Sequence, residues 1–121
     1  MKRICLIGSG NVAEALACAL SAMGSDPTVP TDEQFRLDRI YARNRDRGRA
    51  IAQMVGCTYT DNPAELQSAD IILIAVSDSQ IGQVAELIPN NEAIVAHTAG
   101  CVSWHVLPER LHHRGVFYPL Q

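Results

Sequence analysis

Two glycines on either side of a serine, Gly8-Ser9-Gly10, are the residues whose spacing points most directly to chemistry. They follow the apolar run 4–7 and precede Ala13, so the motif is Gly-x-Gly-x-x-Ala. The first glycine makes a tight turn, the second lets a pyrophosphate approach bare backbone, and the small third residue lets helix and strand pack closely. Helix-start amides and the helix dipole then hold the anion. The motif predicts a dinucleotide phosphate site at Gly8, Ser9, Gly10, Asn11 and Val12. The alternative is a turn that serves packing alone.

A second candidate group, Arg43, Asn44 and Arg45, follows the next expected strand. NAD-binding proteins usually place a carboxylate at the end of this strand to bind the ribose hydroxyls, and a carboxylate would repel a 2′-phosphate. Here Arg43 stands at that position, and the nearest acid, Asp46, is expected to lie in the following helix. Because a guanidinium binds a phosphate through paired hydrogen bonds, the three residues favour NADP over NAD. The alternative is a solvated arginine face on a surface helix.

His97 is the one candidate for acid–base catalysis. It ends an expected strand near the place where a nicotinamide would lie, and a histidine can exchange protons near neutral pH. The alternative is a hydrogen-bonded structural histidine. The other histidines, His105, His112 and His113, have no spacing that also recruits Cys or Asp, so no metal site is predicted.

Composition limits the class of protein. The chain has 121 residues, 47% hydrophobic and 19% charged, as expected for one folded domain. Its formal net charge of −3 argues against a general nucleic-acid binder. The longest apolar run, 71–76, is too short to span a bilayer, and the first residues lack a secretory signal, so a cytoplasmic protein without a membrane partner is expected. The four cysteines are widely separated and are expected to be free, mostly buried thiols: Cys5, Cys18, Cys57 and Cys101.

Strands and helices that would position these residues alternate along the chain. Strands are predicted over 4–7, 39–42, 57–60, 70–76, 93–96 and 115–118. Helices are predicted over 12–23, 46–55, 62–68, from 77 or 78 to 88, and over 102–111, with a loop over 24–38. The first helix is expected to present one apolar face, made of Val12, Leu16, Ala19, Leu20 and Met23.

This alternation predicts an α/β fold of three layers. Strands joined by helices of this length form right-handed crossovers and a parallel sheet covered on both faces. Six strands are the complement of a doubly wound nucleotide-binding domain, with the expected order 3-2-1-4-5-6. The ligand crevice is then expected beyond the carboxyl ends of strands 1 and 4.

Four short motifs carry a family resemblance in their order: GSGNVA at 8–13, ARN at 42–44, AVSD at 75–78 and HTAG at 97–100. Over essentially all 121 residues the chain resembles the N-terminal Rossmann domain of proteins whose C-terminal domain has no assigned function. That family is related to pyrroline-5-carboxylate reductase and to the deazaflavin-dependent NADP oxidoreductases, within the 6-phosphogluconate dehydrogenase-like group. The segment 99–107 also resembles the AG-x-S-x-x-x-L stretch of the pyrroline-5-carboxylate reductases.

The resemblance implies an NADP-dependent oxidoreductase that transfers hydride to or from a small imine, carbonyl or hydroxyacid. It also implies that the backbone of Val76 and Ser77 lies along the ribose and nicotinamide, although Ser77 and Asp78 would equally serve as helix caps. In that group a mostly helical second domain supplies dimer contacts and much of the substrate pocket. Residues 1–121 are therefore expected to be the cofactor half of a homodimeric enzyme, with little turnover alone. The alternative is a non-catalytic dinucleotide sensor whose occupancy changes a protein contact.

Overall fold

Six parallel strands form one sheet in a computed structural model that describes residues 2–23, 28, 34–90, 92–99 and 102–116. The strands are β1 Lys2–Ile7, β2 Phe35–Tyr41, β3 Thr58–Thr60, β4 Ile71–Ile74, β5 Ile94–His97 and β6 His113–Val116. Their order is β3-β2-β1-β4-β5-β6, and every neighbouring pair is parallel. The predicted doubly wound α/β fold and its strand order are confirmed.

Helices of two kinds connect the strands. The α-helices within the described ranges are α1 Asn11–Met23, α2 Arg45–Val55 and α3 Ile81–Ala85. Short 3-10 helices cover Pro63–Ser68, Asp78–Gln80 and Trp104–Val106. None of the described helices is both long enough and apolar enough to cross a membrane.

Apolar residues of the central strands alternate between two hydrophobic cores. Ile4 and Leu6 of β1 belong to the core that includes residues of α1 and α2, whereas Cys5 and Ile7 belong to the core that includes α3. A strand buried on both faces must be apolar at every position, which explains the continuous run in the sequence. The three predicted layers are therefore present.

The apolar face of α1 differs from the predicted one. Val12 is 57% exposed and Ala19 is also exposed, whereas Ala13 and Ala17 are fully buried beside Leu16. The small alanines allow α1 to lie close to the sheet, and this orientation turns Val12 away from the core. The side chain of Met23 lies outside the described residues.

The first half of β2 was predicted to be a loop, because its charged residues are not typical of an inner strand. Asp38 and Arg39 interrupt the apolar pattern, yet both have partners at the edge of the core. The guanidinium of Arg36 lies 2.9 Å from an Asp38 carboxylate oxygen, and Arg39 donates a hydrogen bond of 2.8 Å to the backbone carbonyl of Glu65. The strand therefore begins at Phe35.

The predicted helices of the second half are shorter than expected. The helix predicted over 62–68 is a 3-10 helix over Pro63–Ser68, α3 ends at Ala85 rather than 88, and the helix predicted over 102–111 is a single 3-10 turn, Trp104–Val106. Pro108 lies just beyond that turn and cannot donate the backbone hydrogen bond that a continuing helix needs. The last strand begins at His113, and residues 117–118 of the prediction lie outside the described part of the chain.

The cysteines were predicted to be free, mostly buried thiols, and the three in the described ranges are free but differ in burial. Cys5 is buried and Cys57 half-buried, and desolvation, with a smaller contribution from the nearby Asp38, raises the pKa of each thiol to about 11. Cys18 is exposed instead, with its sulfur 3.7 Å from the Met54 sulfur. Cys101 lies outside the described residues. The thiols of Cys5 and Cys57 therefore stay protonated at neutral pH.

Gly48 allows α2 to lie against Tyr59. A Cβ at Gly48 would come within 2.5 Å of Tyr59 Cε1 and 3.0 Å of Ala42 Cβ. The Tyr59 ring has little room to move, because its hydroxyl donates a hydrogen bond of 2.8 Å to the Ala42 carbonyl. We expect Gly48→Ala to lower the free energy of unfolding by about 1–2 kcal/mol, because overpacking outweighs the higher helix propensity of alanine.

Urea denaturation followed by circular dichroism measures this change. In a Tyr59→Leu background the same Gly48→Ala substitution should be clearly less destabilising, because the closest contact is gone and the approach to Ala42 Cβ remains. A stabilising effect of Gly48→Ala in the unmodified chain would contradict this account of the α2–β3 contact.

Candidate functional site

One cleft of about 570 Å³ opens at the carboxyl ends of four neighbouring strands. Its lining includes residues 8–12 after β1, 41–44 at the end of β2, 75–78 after β4, and 98–99 after β5. It lies where the order of the sheet reverses, between β1 and β4. In an open α/β sheet this is the place where a crevice for ligands forms.

The turn after β1 brings three backbone segments together at Gly8. Its φ is +137°, its amide donates a hydrogen bond of 2.9 Å to the Tyr41 carbonyl, and a Cβ there would lie 2.2 Å from the Ala75 carbonyl oxygen. The same Cβ would be 3.3 Å from Cβ of Ala13, the small third residue of the motif. Both positions therefore need small residues for close packing.

Gly10, unlike Gly8, has open space where a side chain would lie. A Cβ at this position would meet no atom within 4 Å, and the residue lines the cleft. The first hydrogen bond of α1 runs from the Glu14 amide to the Gly10 carbonyl, at 2.9 Å. The amides before Glu14 have no carbonyl four residues back within the helix, so this end of α1 offers free donors at the wall of the cleft.

The end of β2 supplies the only cationic side chain among the described residues that line the cleft. Arg43 is exposed, and within the described ranges no hydrogen bond or ion pair engages its guanidinium. Asn44 caps α2, with Oδ1 accepting a hydrogen bond of 3.1 Å from the Arg47 amide, which leaves its side-chain nitrogen available. Asp46 lies within α2 and does not line the cleft. No carboxylate of the described lining therefore opposes a phosphate beside Arg43.

Arg45 does not join this group. Its guanidinium lies 3.3 Å from Asp61 on the protein surface, and the residue does not line the cleft. The structure thus brings together every predicted cofactor-binding residue except Arg45: Gly8, Ser9, Gly10, Asn11, Val12, Arg43, Asn44, Val76 and Ser77.

Ser77 occupies the N-cap position of the 3-10 helix Asp78–Gln80, yet its hydroxyl makes no capping hydrogen bond. The capping role that was an alternative for this side chain is therefore not used. Asp78 also lines the cleft, and it is the only acidic side chain of the described lining. The end of the cleft at residues 77–78 is consequently polar, and no described residue bonds to the Ser77 hydroxyl.

His97 lies outside the cleft, fully buried behind the turn that follows β5. Its Nδ1 accepts a hydrogen bond of 3.1 Å from the Ala99 amide, and its Nε2 lies 3.3 Å from the Ser103 carbonyl. An Nδ1 that accepts carries no proton, so Nε2 is the donor and both ring nitrogens are engaged. The geometry supports the structural alternative for His97 rather than a general acid.

The remaining histidines have surface partners. His105 Nδ1 lies 2.8 Å from the Ser103 hydroxyl, and His112 and His113 each lie within 3.5 Å of a carboxylate oxygen of Glu92. Over the described ranges, no three His, Cys, Asp or Glu side chains are grouped as a metal site requires.

The structure adds Thr98 and Ala99, which sequence reasoning did not assign to the site. Both line the cleft after β5. Thr98 is held by Ile74, whose carbonyl accepts hydrogen bonds from the Thr98 amide at 3.1 Å and from its hydroxyl at 3.3 Å. The motif at 97–100 contained both residues, and its position after an inner strand was the signal that could have found them.

A family model described as NADP oxidoreductase, coenzyme F420-dependent, matches residues 3–100. The chain belongs to this family. It is the NAD(P)-binding domain of an oxidoreductase family, as the resemblance implied, and the glycine turn and cleft described above lie within the matched residues. None of the curated proteins matches the chain.

Solved structures agree with this assignment. Protein BF3122 of Bacteroides fragilis, classed with the NADP oxidoreductases, is 34% identical, with a TM-score of 0.78 over 99% of this chain and 44% of its own. Two more distant structures show the fold alone. TM1727 of Thermotoga maritima is 19% identical, with a TM-score of 0.67 over 96% of this chain and 40% of its own. Biliverdin reductase of Synechocystis is 16% identical, with a TM-score of 0.67 over 94% and 37%. The chain thus spans less than half the length of these proteins.

Proposed function

We propose that this chain binds NADP in the cleft and serves as the cofactor half of an enzyme that reduces or oxidises a small imine, carbonyl or hydroxyacid. One observation carries the proposal. The cleft joins a glycine turn with free helix amides to Arg43, at the end of β2, which is the one cation of its described lining. That combination suits a dinucleotide with an additional phosphate on its adenosine ribose.

Each part of the cleft fits one part of this ligand. The amides of residues 10–12 would hold the pyrophosphate, because the space beside Gly10 is open to the cleft. Arg43 and Asn44 would bind the 2′-phosphate, since no carboxylate lines this part of the described cleft. The Val76 and Ser77 backbone, with Thr98 opposite, would hold the nicotinamide side. When bound, NADP supplies the hydride chemistry, and these residues orient it.

A substrate would need a second wall beside the cofactor cleft. Hydride transfer needs the two reactants at reacting distance in a pocket that excludes water. We propose that a mostly helical domain provides the second wall and the contacts of a homodimer. In support, BF3122, which shares the fold, has more than half of its length outside the matched region. The chain of 121 residues is expected to bind the cofactor with little turnover.

Replacing Arg43 with methionine is expected to lower the affinity for NADP about thirtyfold and to leave the affinity for NAD unchanged. A charge-assisted hydrogen bond is worth about 1.5–3 kcal/mol, and about 1.4 kcal/mol corresponds to tenfold in affinity. Isothermal titration of the purified chain with each dinucleotide measures the effect.

Arg45→Met is the matched control for this prediction. It removes the same charge two residues away, from a side chain that faces Asp61 rather than the cleft. NADP affinity should stay within about twofold, because the pairing of exposed charges is weak. Equal affinity of the unmodified chain for NAD and NADP, or an Arg43→Met variant that binds NADP as before, would remove the preference for NADP.

A non-catalytic dinucleotide sensor is the second candidate, and one observation favours it. With His97 outside the cleft, Asp78 is the only ionisable side chain at the nicotinamide end of the described lining. Substrate-dependent oxidation of NADPH, measured on protein that carries the helical domain with a panel of imines, ketones and hydroxyacids, would exclude the sensor. A protein that binds NADP tightly but turns over none of the panel would favour it.

A further inference from the structure

Arg47 links three segments that form the phosphate end of the cleft. From the first turn of α2, its Nε donates a hydrogen bond of 3.2 Å to the Ser9 carbonyl oxygen in the glycine turn. Its terminal nitrogen lies 3.3 Å from a carboxylate oxygen of Glu14, in the first turn of α1. Arg47 itself does not line the cleft, whereas Ser9 does. The guanidinium therefore reaches the turn from outside the cleft.

The hydrogen bond from Arg47 fixes the orientation of the peptide unit between Ser9 and Gly10. The Ser9 carbonyl and the Gly10 amide belong to the same peptide bond, and in a trans peptide these two groups point in opposite directions. Because Arg47 holds the carbonyl on the outer side, the Gly10 N–H is turned toward the cleft that Gly10 lines. The contact also keeps the negative end of a carbonyl dipole away from a bound anion.

We propose that Arg47 is a positioning residue for the phosphate turn, which holds the Ser9–Gly10 peptide with its N–H toward the pyrophosphate. This inference rests on the proposed binding of a dinucleotide. It differs from a direct role in 2′-phosphate recognition, because a positioning residue serves NAD and NADP alike. Arg47 thereby couples the start of α2 to the start of α1.

The neighbouring arginines of the same region have other surroundings. Arg43 lines the cleft, Arg45 faces Asp61, and the Arg49 guanidinium lies over the Tyr59 ring at 5.8 Å from its centroid. In the described part of the chain, Arg47 is the one of these four that bonds to the glycine turn. Arg49 therefore provides a matched control on the same helix.

The test is the affinity of the Arg47→Met chain for NADP and for NAD, measured by isothermal titration. Methionine keeps an unbranched stem and a good helix propensity but removes the guanidinium. Loss of a charge-assisted hydrogen bond that orders the turn is expected to weaken both dinucleotides by the same factor, about tenfold. The ratio of the two affinities should stay within about twofold of its original value. Arg49→Met, with the same loss of charge, should bind both ligands as the unmodified chain does.

A second variant keeps the proposal testable if Arg47→Met folds poorly. Glu14→Gln removes the partner that orients the guanidinium, and it is expected to weaken NADP and NAD equally, about two- to threefold. In the free protein, both variants should shift the Gly10 amide resonance in a ¹⁵N–¹H spectrum, and Arg49→Met should not.

Any of four results would overturn the proposal. A loss of NADP affinity alone on Arg47→Met, or a gain of NADP affinity on Glu14→Gln, would make Arg47 a ligand of the 2′-phosphate. Equal losses for Arg47→Met and Arg49→Met would mean that only the overall charge matters. Unchanged affinities would remove the positioning role. If the unmodified chain binds neither dinucleotide, the proposed function fails instead.

Discussion

Replacing Gly10 with valine is expected to lower the affinity for NADP about a hundredfold or more while the protein stays folded. A side chain at Gly10 meets no protein atom within 4 Å, so it enters the space of the cleft where the pyrophosphate would lie against the backbone. Two displaced charge-assisted hydrogen bonds of about 1.5 kcal/mol each correspond to about a hundredfold. Valine is a poorer residue than glycine before a helix, which costs at most about 1 kcal/mol of stability.

Gly115 offers the matched control for this substitution. It lies in β6 and does not line the cleft, and a Cβ there also meets no atom within 4 Å. Gly115→Val should leave NADP affinity unchanged, because the new side chain lies outside the binding space. Titration of both variants, with urea denaturation as the test of folding, separates the two effects. A Gly10→Val chain that binds NADP as tightly as the original would contradict the position of the pyrophosphate.

Replacing Gly8 with alanine, unlike the Gly10 substitution, is expected to act mainly on folding, with a large loss of stability. The new Cβ would lie 2.2 Å from the carbonyl oxygen of Ala75, a backbone atom that cannot move without shifting the end of β4. The φ of +137° adds strain for any residue with a side chain. Overpacking and backbone strain each cost about 1–3 kcal/mol, so the free energy of unfolding should fall by about 3 kcal/mol or more.

Chemical denaturation of Gly8→Ala beside Gly10→Ala measures the contrast within one turn. Gly10→Ala should change the free energy of unfolding by less than about 1 kcal/mol, since its Cβ meets no atom and only the helix cap is weakened. Similar stabilities for the two variants would mean that β1 and β4 are not held as closely at Gly8 as the structure shows.

Much of the fold follows from local pattern. Runs such as 71–74 are apolar at every position because both faces of an inner parallel strand are buried, and this pattern is visible in the sequence. The first half of β2 was missed because its charged residues Asp38 and Arg39 interrupt the apolar pattern, while their contacts with Arg36 and with the Glu65 carbonyl are not visible in that pattern. The exposure of Val12 depends on how closely Ala13 and Ala17 approach the sheet, which periodicity alone does not reveal.

Most residues of the candidate site could be predicted because parallel strands bring their carboxyl ends to one edge of the sheet. A residue that follows an inner strand therefore lies at the cleft regardless of the direction of its side chain. Arg45 and Arg47 could not be assigned in this way, because their directions depend on Asp61 and on the Ser9 carbonyl. The direction of the His97 ring could not be predicted for the same reason, since it depends on the hydrogen bond from the Ala99 amide.

A ¹⁵N–¹H NMR titration of the chain with NADP tests the central claim most directly, because it reports both binding and its location. We expect one saturable site, with the largest amide shifts in residues 8–12, 43–44 and 76–77, and weaker binding of NAD that leaves Arg43 and Asn44 nearly unshifted. Absence of saturable shifts at millimolar NADP, or shifts that concentrate away from the carboxyl edge of the sheet, would contradict it.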